Sequence, residues 1–180
     1  MKASLVKQIQ FGRGIFIREG SIMLKIYDKK KGEINMSFVS WHTYGYGIRT
    51  SGIDKISVEC VEALVSEAPK FEKNLREYFE EQEISSPEVI DYLEYDQEYR
   101  LGIASLLKEV IEEAEEIRFT ACDDLQGDKY LLYEPSYPWN LPEKERGLTE
   151  EKIKKVLMKY VKILTDADIE YDYYSPENGG

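Results

Sequence analysis

Histidine, cysteine and proline are scarce in this chain. One histidine, two cysteines and six prolines are spread over 180 residues. With His42 alone, a metal site built on paired histidines is excluded, and so is any relay that needs two imidazoles. Two cysteines, Cys60 and Cys122, cannot form a disulfide scaffold, and their paucity points to a reducing, cytoplasmic setting. No stretch approaches the roughly 18–20 consecutive apolar residues of a membrane span. The opening Met1-Lys2-Ala3-Ser4-Leu5-Val6-Lys7-Gln8 lacks the apolar segment of a secretory signal. Glycines are present, but Phe11-Gly12-Arg13-Gly14-Ile15 lacks the third glycine of a dinucleotide fingerprint, and no Gly-Lys-Ser/Thr occurs. No cofactor is expected.

Positive charge is also in short supply, and it is unevenly placed. The chain carries 24 basic against 35 acidic side chains, a formal net charge of -11. Residues 1–35 hold eight bases and three acids, net +5; the remainder holds 16 bases and 32 acids, net −16. A field of that sign repels phosphate, so the acidic body is not expected to bind nucleic acid directly. The asymmetry marks 1–35 as a basic, β-rich extension on a single acidic domain over 36–180. A chain of this length, 42% hydrophobic, suffices for one domain with its own core.

The periodicity predicts an α+β fold: an N-terminal β-hairpin, central helices, a β-hairpin, a C-terminal helix and a short strand. The first hairpin is expected to pair Gly14–Arg18 with Ser21–Tyr27 across Glu19-Gly20, with a second turn over Asp28–Glu33. A lone hairpin is marginal in water, so it should pack on the acidic domain, extend its sheet or pair with another copy as a homodimer. The glycines of Thr43–Ile48 mark a bulge or a close backbone approach. Ser57 caps a helix that Pro69 should break or re-aim. Ser86-Pro87 signals another start, Leu101–Ala114 a long helix, and Arg118–Cys122 with Lys129–Tyr133 a hairpin. Residues 135–147 read as a loop. Thr149 opens the clearest amphipathic helix, followed by a strand around Ile169–Tyr173 and a frayed tail from Ser175.

Catalytic groupings are sparse. His42 sits at an aromatic strand end without an evident orienting partner. Cys60 falls on the apolar side of a helix, and Cys122 stands beside Asp123 and Asp124, which should raise its pKa and blunt it as a nucleophile. Asp123, Asp124 and Asp128 do not follow the spacing of a calcium loop and suit a polar hairpin turn. Glu109, Glu112, Glu113 and Glu116 lie on one helical face, where they could hold magnesium for a metal-dependent hydrolase or simply face solvent.

Acid is densest from Glu77 to Glu98. Glu77, Glu80, Glu81, Glu83, Glu88, Asp91, Glu94, Asp96 and Glu98 follow one another there without a single base. Like charges at helical spacing cost a few tenths of a kcal/mol per pair, so local stability does not call for the run. Tyr78, Tyr92, Tyr95 and Tyr99 interleave with it, in a chain with 14 tyrosines, and exposed tyrosine is good contact surface. Carboxylates about 5–6 Å apart can stand in for backbone phosphates in a groove made for nucleic acid.

From Met36-Ser37-Phe38-Val39-Ser40-Trp41-His42-Thr43-Tyr44-Gly45-Tyr46-Gly47 through Ala121-Cys122-Asp123-Asp124 and Tyr137-Pro138-Trp139 to Glu177-Asn178-Gly179-Gly180, the chain resembles small acidic accessory proteins of phages and conjugative elements of gut Firmicutes. That pool also supplies anti-CRISPR and anti-restriction proteins. The resemblance carries no catalytic residue across. It implies a non-enzymatic inhibitor whose protein partner is a Cas nuclease or restriction enzyme. Glu77, Glu80, Glu81, Glu88, Asp91, Glu94, Asp96, Glu98, Glu112, Glu113 and Glu116 are the candidate partner-binding residues. A tyrosine-rich interaction module is the further alternative to the hydrolase.

Overall fold

A computed structural model describes residues 9–11, 13–15, 23–28, 33–38, 40–95, 101–134 and 143–179. Two compact units emerge, Thr43–Pro176 and a smaller one made of Met1–His42 with Glu177–Gly180.

In the smaller unit, β1 (Ile9–Phe11) pairs antiparallel with β2 (Arg13–Ile15), and β3 (Met23–Asp28) with β4 (Glu33–Phe38). The expected turn over Asp28–Glu33 is where β3 and β4 join, Asp28 standing opposite Glu33. The turn expected at Glu19-Gly20 lies outside the described residues, as does part of each run it would join; β2 lies against β3, and β3 pairs with β4. β5 (Ser40–His42) pairs with a segment near the C-terminus, Glu177–Gly179, with His42 opposite Glu177. The tail expected to fray is therefore a strand. Pairing uses backbone groups that every residue but proline supplies, so the poor strand propensity of Asn178-Gly179 does not prevent it.

The larger unit is a four-stranded antiparallel sheet covered by helices. Its strands β6 (Gly45–Arg49), β7 (Thr120–Asp123), β8 (Lys129–Tyr133) and β9 (Tyr171–Tyr174) run in the order β7-β8-β6-β9. The register sets Ile48 opposite both Leu131 and Tyr171, and Leu131 opposite Ala121, so these four share one face. Ile48 and Leu131 on that face are fully buried in the core. A Cβ on Gly47 would collide with the Leu131 carbonyl, and one on Gly45 with that of Tyr133. These are the close approaches the glycines signalled.

Among the described residues, five α-helices supply the rest of the core. α1 (Val58–Val65) starts at Ser57, whose Oγ accepts the Cys60 N–H at 3.3 Å, and it buries Val61, Leu64 and Val65. α2 (Pro69–Glu81) begins at the proline, which has no N–H to lose in a first turn, and buries Phe71, Leu75 and Phe79 at four-residue spacing. α3 (Val89–Leu93) starts later than Ser86-Pro87 promised. Glu88 and Asp91 form a reciprocal capping box, with Asp91 Oδ2 accepting the Glu88 N–H at 2.7 Å. α4 (Ile103–Glu115) buries Leu106, Leu107, Val110 and Ile111, and α5 (Glu150–Leu164), capped by Thr149, buries Ile153, Leu157, Tyr160, Val161 and Leu164. The chain is thus α+β, in the order the periodicity predicted. Among the described residues no helix is long and apolar enough to cross a membrane.

Candidate interaction surface

The acidic residues singled out by sequence separate into two groups. In the first, on α4, the carboxylates are taken up within the domain. Glu113 accepts the backbone N–H groups of Lys70 and Phe71, both at 2.8 Å, and so caps the first turn of α2 from another helix. Glu112 pairs with Arg118 at 3.4 Å and Glu109 with Lys108 at 3.0 Å. Glu115 accepts from Tyr160 Oη at 2.6 Å and Lys159 Nζ at 3.0 Å. Burial resists its ionisation, but the Tyr160 hydroxyl and the Lys159 ammonium hold its pKa below the usual carboxylate range, Tyr160 contributing most. Glu116 ends the helix in the left-handed conformation at φ 56°. Glu109, Glu112 and Glu113 thus engage different partners, and among the described residues no group of three or more His, Cys, Asp or Glu is arranged for a metal ion.

The second group, from the end of α2 through α3, faces outward. Glu77, Glu80, Glu81, Glu83, Glu88 and Glu94 are exposed and Asp91 is half-buried, while Asp96 and Glu98 lie outside the described residues. Upstream acids of α2 are neutralised one turn away, Glu72 by Arg76 at 2.6 Å and Glu77 by Lys73 at 3.4 Å. The last turn has no base to match Glu80 and Glu81. Both stand at the negative end of the helix dipole, where anions are disfavoured by roughly 0.3–1 kcal/mol each.

The residue after this helix end is more telling. Glu83 N–H bonds the Glu80 carbonyl at 3.1 Å and Ile84 N–H bonds that of Phe79 at 2.9 Å, which closes a Schellman turn. Its left-handed residue is Glu83, at φ 59°, where glycine is the usual occupant. Local energetics at Glu80, Glu81 and Glu83 favour something other than glutamate.

The tyrosines divide as well. Tyr92 is buried, its ring edge-on to Phe79 at 5.0 Å, and Tyr95 meets Phe71 in the same way at 5.2 Å. The expected contact surface is not offered by Tyr92, whose ring is core. Tyr173 is 52% exposed and lies 5.3 Å from Tyr46, which stacks in turn on Tyr171.

Between α1, α2 and the approach to α3 is a cleft of about 350 Å³. Leu75, Phe79, Ile84 and Tyr92 form its apolar lining. Glu62, Glu72 and Glu80 are on its walls, with Arg76 fixed against Glu72 by two hydrogen bonds. Glu62 and Glu72 were not singled out by sequence. Their signal was present but weak: Glu62 lies on the outward side of α1, between buried Val61 and Leu64.

Other reactive side chains lie on strands and turns. His42 is on exposed β5. Cys122 is half-buried and its thiol is pushed up to about 11, chiefly by burial and only then by Asp123, Glu134 and Asp124, so the direction expected from its acidic neighbours has a different leading cause. Asp124 organises the β7–β8 turn by accepting the Gln126 and Asp128 N–H groups at 2.9 Å and the Tyr130 hydroxyl at 2.9 Å. No protein-family model matches this chain, and neither a curated protein nor a solved structure matches it.

Proposed function

We propose that the protein is a non-enzymatic, acidic inhibitor of a nucleic-acid-handling protein, of anti-CRISPR or anti-restriction type. Its partner would be a Cas nuclease or restriction enzyme, whose basic channel would receive the carboxylates of α2 and α3. The supporting observation is the run Glu80, Glu81 and Glu83, exposed at a helix end whose dipole and whose left-handed turn both disfavour glutamate. Residues retained against local stability are those a binding role explains. Of the α4 glutamates, Glu113 is the one engaged in capping α2, which leaves Glu112 and Glu116 as further candidates for this surface.

Binding of this kind is salt-sensitive, because exposed charge pairs are screened beyond about 10 Å at 0.1 M salt. The test is a pull-down with guide-loaded Cas9 and a panel of restriction enzymes at low and high salt. It compares the native chain with a Glu77→Gln/Glu80→Gln/Glu81→Gln/Glu83→Gln variant. Capture at low salt, lost at high salt and in the variant, is the expected result. Capture of no nuclease at low salt overturns the reading.

A further inference from the structure

We infer that the α1–α2–α3 cleft is an anchor site for an arginine-bearing, amphipathic segment of a protein partner. This rests on the proposed inhibitory role and specifies which part of the partner is held. The cleft combines two properties that a plain phosphate-mimicking surface lacks. Its lining is apolar at Leu75, Phe79, Ile84 and Tyr92, and its volume of about 350 Å³ has room for a long side chain. Its walls carry Glu62, Glu72 and Glu80 against the single cation Arg76, which Glu72 already holds at 2.6 Å.

The charge of the lining remains negative: Glu62 meets the Tyr92 hydroxyl and the field of Arg76, and Glu80 adds a further carboxylate. An apolar channel between two carboxylates matches a side chain with a long aliphatic stem and a cationic head. Arginine fits better than lysine. Its planar guanidinium spreads hydrogen bonds over two carboxylates, where an ammonium is a point charge. An anionic occupant would set a like charge beside Glu62 and Glu80, and a purely apolar one would desolvate Glu80 without compensation. A leucine or similar residue one helical turn from the arginine would cover the rim at Ile84 and Pro87.

The probe is a short synthetic helical peptide with arginine and leucine at four-residue spacing, titrated into the labelled full-length protein and followed by backbone amide NMR. Two control peptides replace arginine with glutamate, or leucine with serine. Shifts should concentrate at Val65, Leu75, Phe79, Ile84 and Tyr92 with the first peptide and be absent with the glutamate control. Glu62→Gln and Glu80→Lys should each weaken binding by about tenfold or more, the equivalent of about 1.4 kcal/mol. Glu80→Lys improves the charge at the end of α2, so its loss of binding is not a loss of fold. Shifts spread evenly over the acidic surface, or full binding by Glu80→Lys, overturn the anchor. The two readings separate cleanly. A nuclease captured equally by native protein and Glu80→Lys refutes the anchor alone. Arginine-dependent peptide shifts in the cleft without capture of any nuclease refute the inhibitory reading alone.

Discussion

Glu113 Oε2 accepts the N–H of Phe71 at 2.8 Å, although 42 residues separate the two in sequence. With Oε1 on the Lys70 N–H, this carboxylate satisfies the first two amides of α2, since Pro69 has none. The local cap position is Ala68, which has no side-chain oxygen, so α2 depends on α4 for its start. Glu113→Ala should destabilise the protein by about 1–2 kcal/mol, as loss of a helix cap does. Glu112→Ala, which breaks only the partly exposed pair with Arg118, should cost no more than about 0.5 kcal/mol. Urea midpoints of the two variants measure the difference; equal midpoints would show that the interhelical cap contributes nothing.

Glu83 gives the opposite sign. Replacing it with glycine removes a side chain from a left-handed position at φ 59° while leaving the Schellman bonds in place. Glu83→Gly should stabilise the fold by up to about 1 kcal/mol. If the acidic run serves binding, the same variant captures less nuclease at low salt. Thermal melting and pull-down on one preparation check both, and a less stable Glu83→Gly would show that the carboxylate has a structural use.

The helices were legible in the sequence because their apolar residues recur at helical spacing and their caps, Ser57 and Thr149, are local. Glu113 illustrates what was not. Its spacing with Glu109, Glu112 and Glu116 suggested either a solvent face or a metal site, and nothing in a one-dimensional pattern shows that the start of another helix lies above it. The start of α3 was misplaced for a related reason: Ser86-Pro87 is a strong signal, but the Glu88–Asp91 capping box satisfies more backbone groups. Tyr92 looked like contact surface because it alternates with acids; only the packing of Phe79 reveals that its ring is inside.

The sheet makes a sharp prediction about Gly47. A methyl group there meets the Leu131 carbonyl and its carbon, both backbone atoms of the neighbouring strand that cannot swing aside. Gly47→Ala should therefore cost about 1–3 kcal/mol by overpacking. Gly52→Ala, whose nearest atom would be the flexible end of Ile169 at 3.4 Å, should be close to neutral. Urea denaturation of the pair distinguishes a steric requirement at β6 from a general intolerance of alanine for glycine.

Alkaline pH should act on two buried tyrosines and the half-buried Cys122 together. Burial, aided by the Glu145 carboxylate that accepts its hydroxyl at 3.0 Å, pushes Tyr133 up to about 12. Burial and then Asp124 raise Tyr130 to about 12, and burial raises Cys122 to about 11. In the unfolded chain the same groups ionise near their ordinary values, about 10 for tyrosine and about 8.5 for cysteine. The native state thus holds protons that the unfolded state releases first, and stability falls wherever that difference exists. What these groups contribute is fully present below about pH 8.5 and is lost between there and about pH 12. The urea midpoint should accordingly decline as pH rises above about 9, while native Cys122 stays slow to react with a thiol reagent near pH 8 until urea is added. Tyr133→Phe should shed part of the alkaline decline while lowering stability at neutral pH, because Glu145 is only 5% exposed and loses the hydroxyl it accepts. Absorbance titration of phenolate checks the assignment: burial also raises Tyr92, Tyr160, Tyr171 and Tyr174, so with Tyr130 and Tyr133 six tyrosines should ionise later in the folded protein than in urea, and complete ionisation near pH 10 without unfolding would refute it.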